Sequence, residues 1–150
     1  MIKHEAAIPN IALEKFSGFI GTWQTVGTHP HLPSTVLHGH TSFEWLEGGA
    51  FLIMHSEIDE PGIPSGIAIV GSDGTRDEFS MLYFDERGVS RNYDVNVQEG
   101  VWTWSRDAPD LSQRFTLTIQ PDKQKIIGRG ELSRGGPWEP DLELTYTRIE

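Results

Sequence analysis

Two polar side chains fall on the apolar face of a predicted strand in the second half of the chain. Over residues 89–97, the even-numbered positions, which form one parity, carry serine, asparagine and aspartate. The odd-numbered positions, which form the other parity, carry three valines together with Arg91 and Tyr93. Because side chains alternate between the two faces of a strand, the valine-bearing parity is expected to point inward and to take the arginine with it. A buried guanidinium needs a carboxylate, water or a ligand, so this pattern predicts a polar interior site.

Three further predicted strands carry polar and apolar side chains on one face. Arg106 shares a parity with two tryptophans, Gln113 with the apolar residues of 113–119, and His55 with two apolar residues of 51–55. Arginines beside aromatic rings are typical of sites that hold a carboxylate or another acceptor-rich group. The predicted ligand-binding residues are His55, Arg91, Tyr93, Trp102, Trp104, Arg106 and Gln113.

Each of these side chains also has a structural interpretation. The two arginines could pair internally with Glu44, Asp85 or Asp94, or extend to the rim of the fold. The tryptophans could be core residues, and Trp23 and Trp138 in particular are predicted to close a barrel. All of these assignments depend on strand register, which a single β-bulge would invert.

The histidines offer a second, weaker kind of chemistry. All six lie between positions 4 and 55, and two pairs, His29 with His31 and His38 with His40, have the spacing that places two imidazoles on one strand face. A His-X-His pair at an exposed strand end is usually solvated, so we predict no metal site. The sequence also lacks a Gly-X-Ser-X-Gly motif and phosphate-binding glycine loops, and its catalytic residues, if any, stay unassigned.

The elements that would position these side chains are mostly strands joined by short turns. A short helix is predicted over 11–16, capped by Asn10 and ended by Gly18, with Ile11, Ala12, Leu13 and Phe16 on one face. Two proline-containing loops, 29–34 and 60–66, could each form a lid at a barrel mouth. Even spacing indicates a meander that closes or stacks to remove its edges. The ten predicted strands lie near 19–28, 38–47, 50–58, 66–72, 77–85, 88–97, 100–107, 112–120, 125–133 and 138–149.

Composition limits the classes of function. The 150 residues carry 12 Lys and Arg against 22 Asp and Glu, for a formal charge of −10, and include no cysteine. This predicts a single domain over 1–150 held by its core, with no disulfides or thiol chemistry. The acidic charge disfavours nucleic acid and anionic membranes as partners. The sequence shows no signal-peptide pattern, so we expect a cytoplasmic protein.

Several segments resemble a bacterial family of uncharacterised lipocalin-like barrel proteins. Gly21-Thr22-Trp23 is similar to the Gly-X-Trp signature of lipocalin-like first strands, and the segments 43–52, 83–89, 101–103 and 113–115 resemble the family more specifically. The resemblance covers about residues 16–148. It implies an all-β, up-and-down antiparallel barrel of about ten strands with a short N-terminal capping helix.

Two related barrels differ from this chain at their binding residues. Nitrobindins bind haem through a histidine near the chain end, whereas this sequence has none after His55. Haem would therefore need another ligand, such as His55 or Tyr146. Fatty-acid-binding proteins hold a carboxylate with Arg-X-Tyr in the last strand, whereas Tyr146 and Arg148 stand here in the reverse order.

The leading hypothesis is a protein that binds or carries a small, partly apolar, anionic ligand inside the barrel, without a cofactor. One alternative is an isomerase or hydrolase acting on such a ligand through Tyr93 and His55. Another is a haem or tetrapyrrole binder with ligation unlike that of nitrobindins. A last alternative is a filled barrel whose sheet forms a homodimer.

Overall fold

The computed structural model describes residues 8–73 and 78–149. Each predicted strand is present with ends within two residues of the prediction, except that the predicted start of the fifth at residue 77 lies outside the described residues. The strands are β1 (Gly21–Thr28), β2 (Leu37–Leu46), β3 (Phe51–Ile58), β4 (Gly66–Ser72), β5 (Phe79–Asp85), β6 (Ser90–Gln98), β7 (Val101–Arg106), β8 (Ser112–Ile119), β9 (Lys125–Ser133) and β10 (Glu139–Arg148).

These strands form one closed antiparallel barrel. Each strand pairs with its neighbours in sequence, and β1 pairs with β10 from Trp23 opposite Arg148 to Thr28 opposite Glu143. Closure satisfies the backbone groups that an open sheet would leave at its edges. Tight turns make the meander possible: Glu99 and Gly100 both have positive φ, as a two-residue hairpin between β6 and β7 requires. The predicted all-β barrel is confirmed.

The N-terminal helix is a 3₁₀ helix over Ile11–Phe19. The Asn10 side chain caps it by accepting a hydrogen bond from the Ala12 amide, as predicted, but the helix continues through Gly18. A 3₁₀ helix has three residues per turn, so Leu13, Phe16 and Phe19 share one face, and all three are buried. The prediction that Ile11 belongs to this face is wrong, because Ile11 lies on another face and is exposed.

This helix closes one end of the barrel, which we call the floor. Fully buried Trp102 packs against the rings of Phe16, Phe19 and Phe43, with centroids 4.9–5.4 Å apart. Trp23 is also fully buried and donates its indole N–H to the Phe19 carbonyl at 2.9 Å. The prediction that Trp23 closes the barrel is therefore confirmed.

Trp138 does not share that role. It is 38% exposed on the outside of the barrel, where the Arg114 guanidinium lies 4.0 Å from its ring centroid. The prediction that Trp138 is a core residue is wrong, because it lies in the turn before β10, at the end of the barrel opposite the floor.

The other end of the barrel, which we call the mouth, carries five connections. Since strand direction alternates, the connections 29–36, 59–65, 86–89, 107–111 and 134–138 all lie there. Because the N-terminal helix and the aromatic cluster around Trp102 fill the floor half of the barrel, the mouth half is available for a site. In the described residues, no helix is both long enough and apolar enough to cross a membrane.

Candidate ligand-binding cavity

A cavity of about 400 Å³ opens at the mouth of the barrel. This volume lies in the lower part of the range of about 300–1,000 Å³ found for small-molecule sites. The two loops predicted to lie at a barrel mouth both border it, the first through His29 and His31 and the second through Gly62, Ile63 and Pro64. The predicted position of these loops is confirmed.

The inner part of the cavity is an apolar bowl. Trp104 and Phe115 stack with ring centroids 5.0 Å apart and planes 13° from parallel, and Met54 and Leu144 also contribute to the wall. Gly130 lies opposite Phe115 in register and makes room for its ring, since a Cβ there would lie 2.9 Å from Phe115 Cδ2. The bowl therefore offers flat aromatic surface to the apolar part of a ligand.

Arg91 lies on β6, nearer the mouth than Tyr93. Gln113 on β8 bridges the two side chains: its Oε1 accepts from Arg91 Nη1 at 3.2 Å and from Tyr93 Oη at 3.0 Å. Among residues 8–73 and 78–149, no carboxylate forms a salt bridge with Arg91. Burial raises the pKa of Tyr93, an effect that the neighbouring Arg91 opposes, so the hydroxyl is a donor at neutral pH. Most of the Arg91 N–H groups remain available to a ligand or water.

A second arginine at the mouth, Arg87, is neutralised within the protein. Its Nε and Nη2 donate to the Asp85 carboxylate at 2.7–3.2 Å, and Tyr83 Oη donates to the same carboxylate at 2.7 Å. The hydrogen bonds from Arg87, and then that from Tyr83, hold the pKa of Asp85 well below its usual range. Burial and the hydrogen bond to Asp85 raise the pKa of Tyr83. Asp85 is therefore the partner of Arg87 and not of Arg91 or Arg106.

His29 and Asp141 form a polar contact across the mouth. His29 Nε2 lies 2.9 Å from Asp141 Oδ1, and His29 Nδ1 accepts from the His31 amide at 3.1 Å. Both imidazole nitrogens are therefore engaged. Strict alternation along β10 would turn Asp141 outward together with Glu143, but the register shifts between Pro140 and Glu143, and this irregularity brings Asp141 to the cavity wall.

Four of the seven predicted ligand-binding residues line the cavity, namely Arg91, Tyr93, Trp104 and Gln113. Their inward orientation is confirmed, and their role in binding stays a prediction. Trp102 is also inward but lies beneath the cavity in the floor, with its indole N–H enclosed and without a hydrogen-bond partner among the described residues.

The prediction that His55 points into the barrel is wrong. Leu52 and Met54 are buried on β3, whereas His55 is exposed and lines a groove on the outside of the barrel. Both parities of 51–55 carry apolar residues, so polarity alone did not distinguish them. The pair of Tyr93 and His55 that an enzyme was expected to use is therefore not assembled.

Arg106 also lies away from the cavity lining. It occupies the mouth end of β7, opposite Gln113 in register, and lines an outer groove together with Leu82 and Asn92. Arg106 shares the face of the inward Gln113 in register, but it is the last residue of β7, and the outer groove that it borders is also bordered by Arg91. A predicted ion pair of Arg106 with Glu44, Asp85 or Asp94 is absent from the described part of the chain.

Other cavity residues were not among the predicted site residues. Tyr146 already stood on the inward parity of β10, so its position was available from the sequence. Arg87 lies in a turn, where alternation gives no orientation, and Asp141 depends on the bulge. Arg134 lies in the β9–β10 connection, so alternation gives no orientation for its side chain either.

The predicted histidine pairs are separated in the structure. His29 and His31 lie at the mouth, whereas His38 and His40 are exposed along β2. Within the described residues, no group of three or more histidine and acidic side chains is arranged to hold a metal ion. His4 lies outside the described residues.

Comparisons with known proteins support the fold. No protein-family model matches the sequence, and no curated protein matches it. Among solved structures, the chain is similar to the S-type phycobiliprotein lyase CPES from Guillardia theta, with a TM-score of 0.59 over 91% of this chain and 92% of that one. The two sequences are 9% identical, so the likeness concerns the lipocalin-like barrel architecture.

Proposed function

We propose that this barrel binds or carries a small, partly apolar, anionic ligand in the cytoplasm. The anionic group would lie at the mouth against Arg91, and the apolar part would lie in the bowl against Trp104 and Phe115. The observation that carries the proposal is Arg91 itself. It lines an apolar cavity, and no carboxylate among the described residues neutralises it.

The charges around the cavity support an anionic ligand. Three arginines, Arg87, Arg91 and Arg134, line it, and Asp141 is the one carboxylate among its described lining residues. The whole chain has a formal charge of −10, so the cavity is locally positive in an acidic protein. Since Asp85 neutralises Arg87 and Arg134 is exposed in the β9–β10 connection, Arg91 is the unpaired guanidinium that lies inside the cavity.

A panel of alkyl and aryl monocarboxylates tests this proposal by calorimetry and by thermal shift. We expect binding to the wild type and a loss of roughly 10–100-fold in affinity for Arg91→Leu, since a hydrogen bond to a charged group contributes about 1.5–3 kcal/mol. Arg129→Leu is the matched control, because Arg129 is exposed on the outer face near Glu143. Equal affinity of Arg91→Leu and wild type, or no binding across the panel, would overturn the proposal.

Binding rather than turnover is part of the proposal. The sequence-based enzyme alternative used Tyr93 and His55, and these residues lie on opposite sides of the barrel wall. Mass spectrometry of a bound carboxylate after prolonged incubation distinguishes the two functions. We expect the ligand to be recovered unchanged, and accumulation of a product would favour the enzyme.

A tetrapyrrole is a second candidate ligand, favoured by the likeness to a phycobiliprotein lyase. The residues do not fit haem bound through the predicted iron ligands. His55 lies outside the barrel, and burial raises the pKa of Tyr146, which opposes the phenolate that iron ligation requires. A metal-free tetrapyrrole held by its carboxylates against Arg91 fits better.

Titration with biliverdin and with haem, followed by visible absorption, tests this second candidate. We expect a spectral change with biliverdin that Arg91→Leu weakens. A spectrum that does not change on adding either compound would exclude the tetrapyrrole and leave the smaller carboxylates as the proposed ligands.

A further inference from the structure

Tyr146 lies deep in the cavity on β10. It stands two residues before Arg148, which closes the floor over Trp23, and its side chain is 4% exposed. The ring occupies space left by Gly128 on β9, since a Cβ at that position would lie 3.0 Å from Tyr146 Cε1. Tyr146 is nevertheless part of the cavity wall, so its small accessible surface faces the bowl.

The hydroxyl of Tyr146 differs from those of the other two tyrosines. Tyr83 Oη donates to Asp85 and Tyr93 Oη donates to Gln113, whereas no hydrogen bond joins Tyr146 Oη to any residue in the described part of the chain. Burial raises the pKa of Tyr146, so its hydroxyl is a neutral donor across the physiological range. The hydroxyl is not among the fully enclosed unpaired atoms of the described residues, so it is accessible from the cavity, and water or a ligand there must supply its acceptor.

We infer that Tyr146 determines specificity by donating a hydrogen bond to a neutral acceptor at the inner end of the ligand. This inference rests on the proposed binding of an anionic ligand at Arg91. It narrows the ligand class to carboxylates that carry a second oxygen function, such as a ketone, away from the carboxylate. A plain hydrocarbon tail would fill the bowl and leave the hydroxyl unpaired.

Matched ligands that differ by one carbonyl test this inference. We would measure 5-phenylpentanoate, 4-oxo-5-phenylpentanoate and 5-oxo-5-phenylpentanoate by calorimetry against the wild type, Tyr146→Phe and Tyr93→Phe. At least one keto acid should bind the wild type roughly 5–10-fold more tightly than 5-phenylpentanoate, the effect of one additional hydrogen bond. Tyr146→Phe should abolish that preference, because it removes the donor and retains the ring.

Tyr93→Phe provides the comparison variant. Its hydroxyl already donates to Gln113, so this variant should keep the preference for the keto acid even where its overall affinity changes. The thermal midpoint of ligand-free Tyr146→Phe gives a readout that needs no ligand. It should stay close to that of the wild type, because the Tyr146 hydroxyl faces the cavity and has no hydrogen bond to the described residues to lose.

The outcomes separate this inference from the proposed function. If all three acids bind equally and lose affinity in Arg91→Leu, the anion site stands and Tyr146 has no role in specificity. If none of them binds the wild type, the proposed function fails for this class and the inference fails with it. A marked fall in the midpoint of ligand-free Tyr146→Phe would show that the hydroxyl has a partner within the protein, and would also overturn the inference.

Discussion

Two arginines at opposite ends of the barrel are used in different ways. At the floor, Arg148 donates to the carbonyls of Gly18, Ile20 and Lys123 at 2.7–2.9 Å, and its guanidinium lies 4.2 Å from the Trp23 ring centroid. At the mouth, Arg91 has one hydrogen bond within the described residues, to Gln113 at 3.2 Å. The protein therefore supplies hydrogen-bond acceptors for the guanidinium of Arg148, whereas most N–H donors of Arg91 have no acceptor among the described residues.

This difference distinguishes a structural arginine from a binding arginine. Arg148 joins the last strand to the N-terminal helix and to the β8–β9 turn, so its hydrogen bonds connect distant parts of the chain and close the floor. Arg91 lines open space above aromatic rings. Substitution at the floor should therefore mainly change stability, whereas substitution at the mouth should mainly change binding.

The largest effect is expected at the floor, for Arg148→Met. Methionine keeps much of the packing over Trp23 but leaves three carbonyls without their donor, so the free energy of unfolding should fall by about 3 kcal/mol. Urea denaturation measures this change. Arg129→Met, on the outer face, serves as the control and should change stability little. A loss at Arg148 no greater than at Arg129 would show that the floor does not depend on these hydrogen bonds.

An intermediate effect is expected at the mouth for Asp85→Asn, which leaves Arg87 without its carboxylate. The side chain of Asp85 is fully buried and Arg87 is half exposed, so water would replace part of the contact and about 1–2 kcal/mol of stability should be lost near pH 7. Asp94→Asn, an exposed position on β6, is the control. A variant as stable as the wild type would show that Arg87 does not need this partner.

The difference in stability between the wild type and Asp85→Asn should also depend on pH, with a sign that follows from the pKa of Asp85. The folded pKa of Asp85 is lowered, so its contribution is complete above the unfolded value of about 3.9 and is lost as pH falls through the lower folded pKa. The difference in stability between the wild type and Asp85→Asn should be constant from pH 7 to about pH 5 and shrink below about pH 4. Urea denaturation across this range checks it, and a difference that grows in acid would contradict it.

The fold was predictable because the residues that form the turns are easily recognised in the sequence. Pairs such as Glu99-Gly100 interrupt alternating segments at regular intervals, and a long meander of this kind must close. The helix was less predictable in length, because its buried positions repeat every third residue, which is the spacing of a 3₁₀ helix rather than an α-helix.

The site was predictable within strands that have one clearly polar face, and not at strand ends, bulges or turns. Arg91 and Tyr93 on β6 were assigned to the correct face because serine, asparagine and aspartate occupy the outer face of this strand. Strand β3 has apolar residues on both faces, so His55 was assigned to the wrong one. Asp141 depends on a bulge and Arg87 on a turn, and neither orientation follows from alternation.

The smallest change in stability is expected for Gln113→Glu, which would give Arg91 a carboxylate partner like that of Arg87. A carboxylate at this position would accept from both Arg91 and Tyr93, so the ligand-free protein should gain up to about 1 kcal/mol, as for a partly exposed ion pair. The same carboxylate would compete with an anionic ligand, and affinity for monocarboxylates should fall roughly 10-fold or more. Gln24→Glu, an exposed position on β1, adds the same charge outside the cavity and should leave affinity nearly unchanged. If Gln113→Glu binds carboxylates as tightly as the wild type, Arg91 is not their anchor and the contrast between the two arginines does not extend to function.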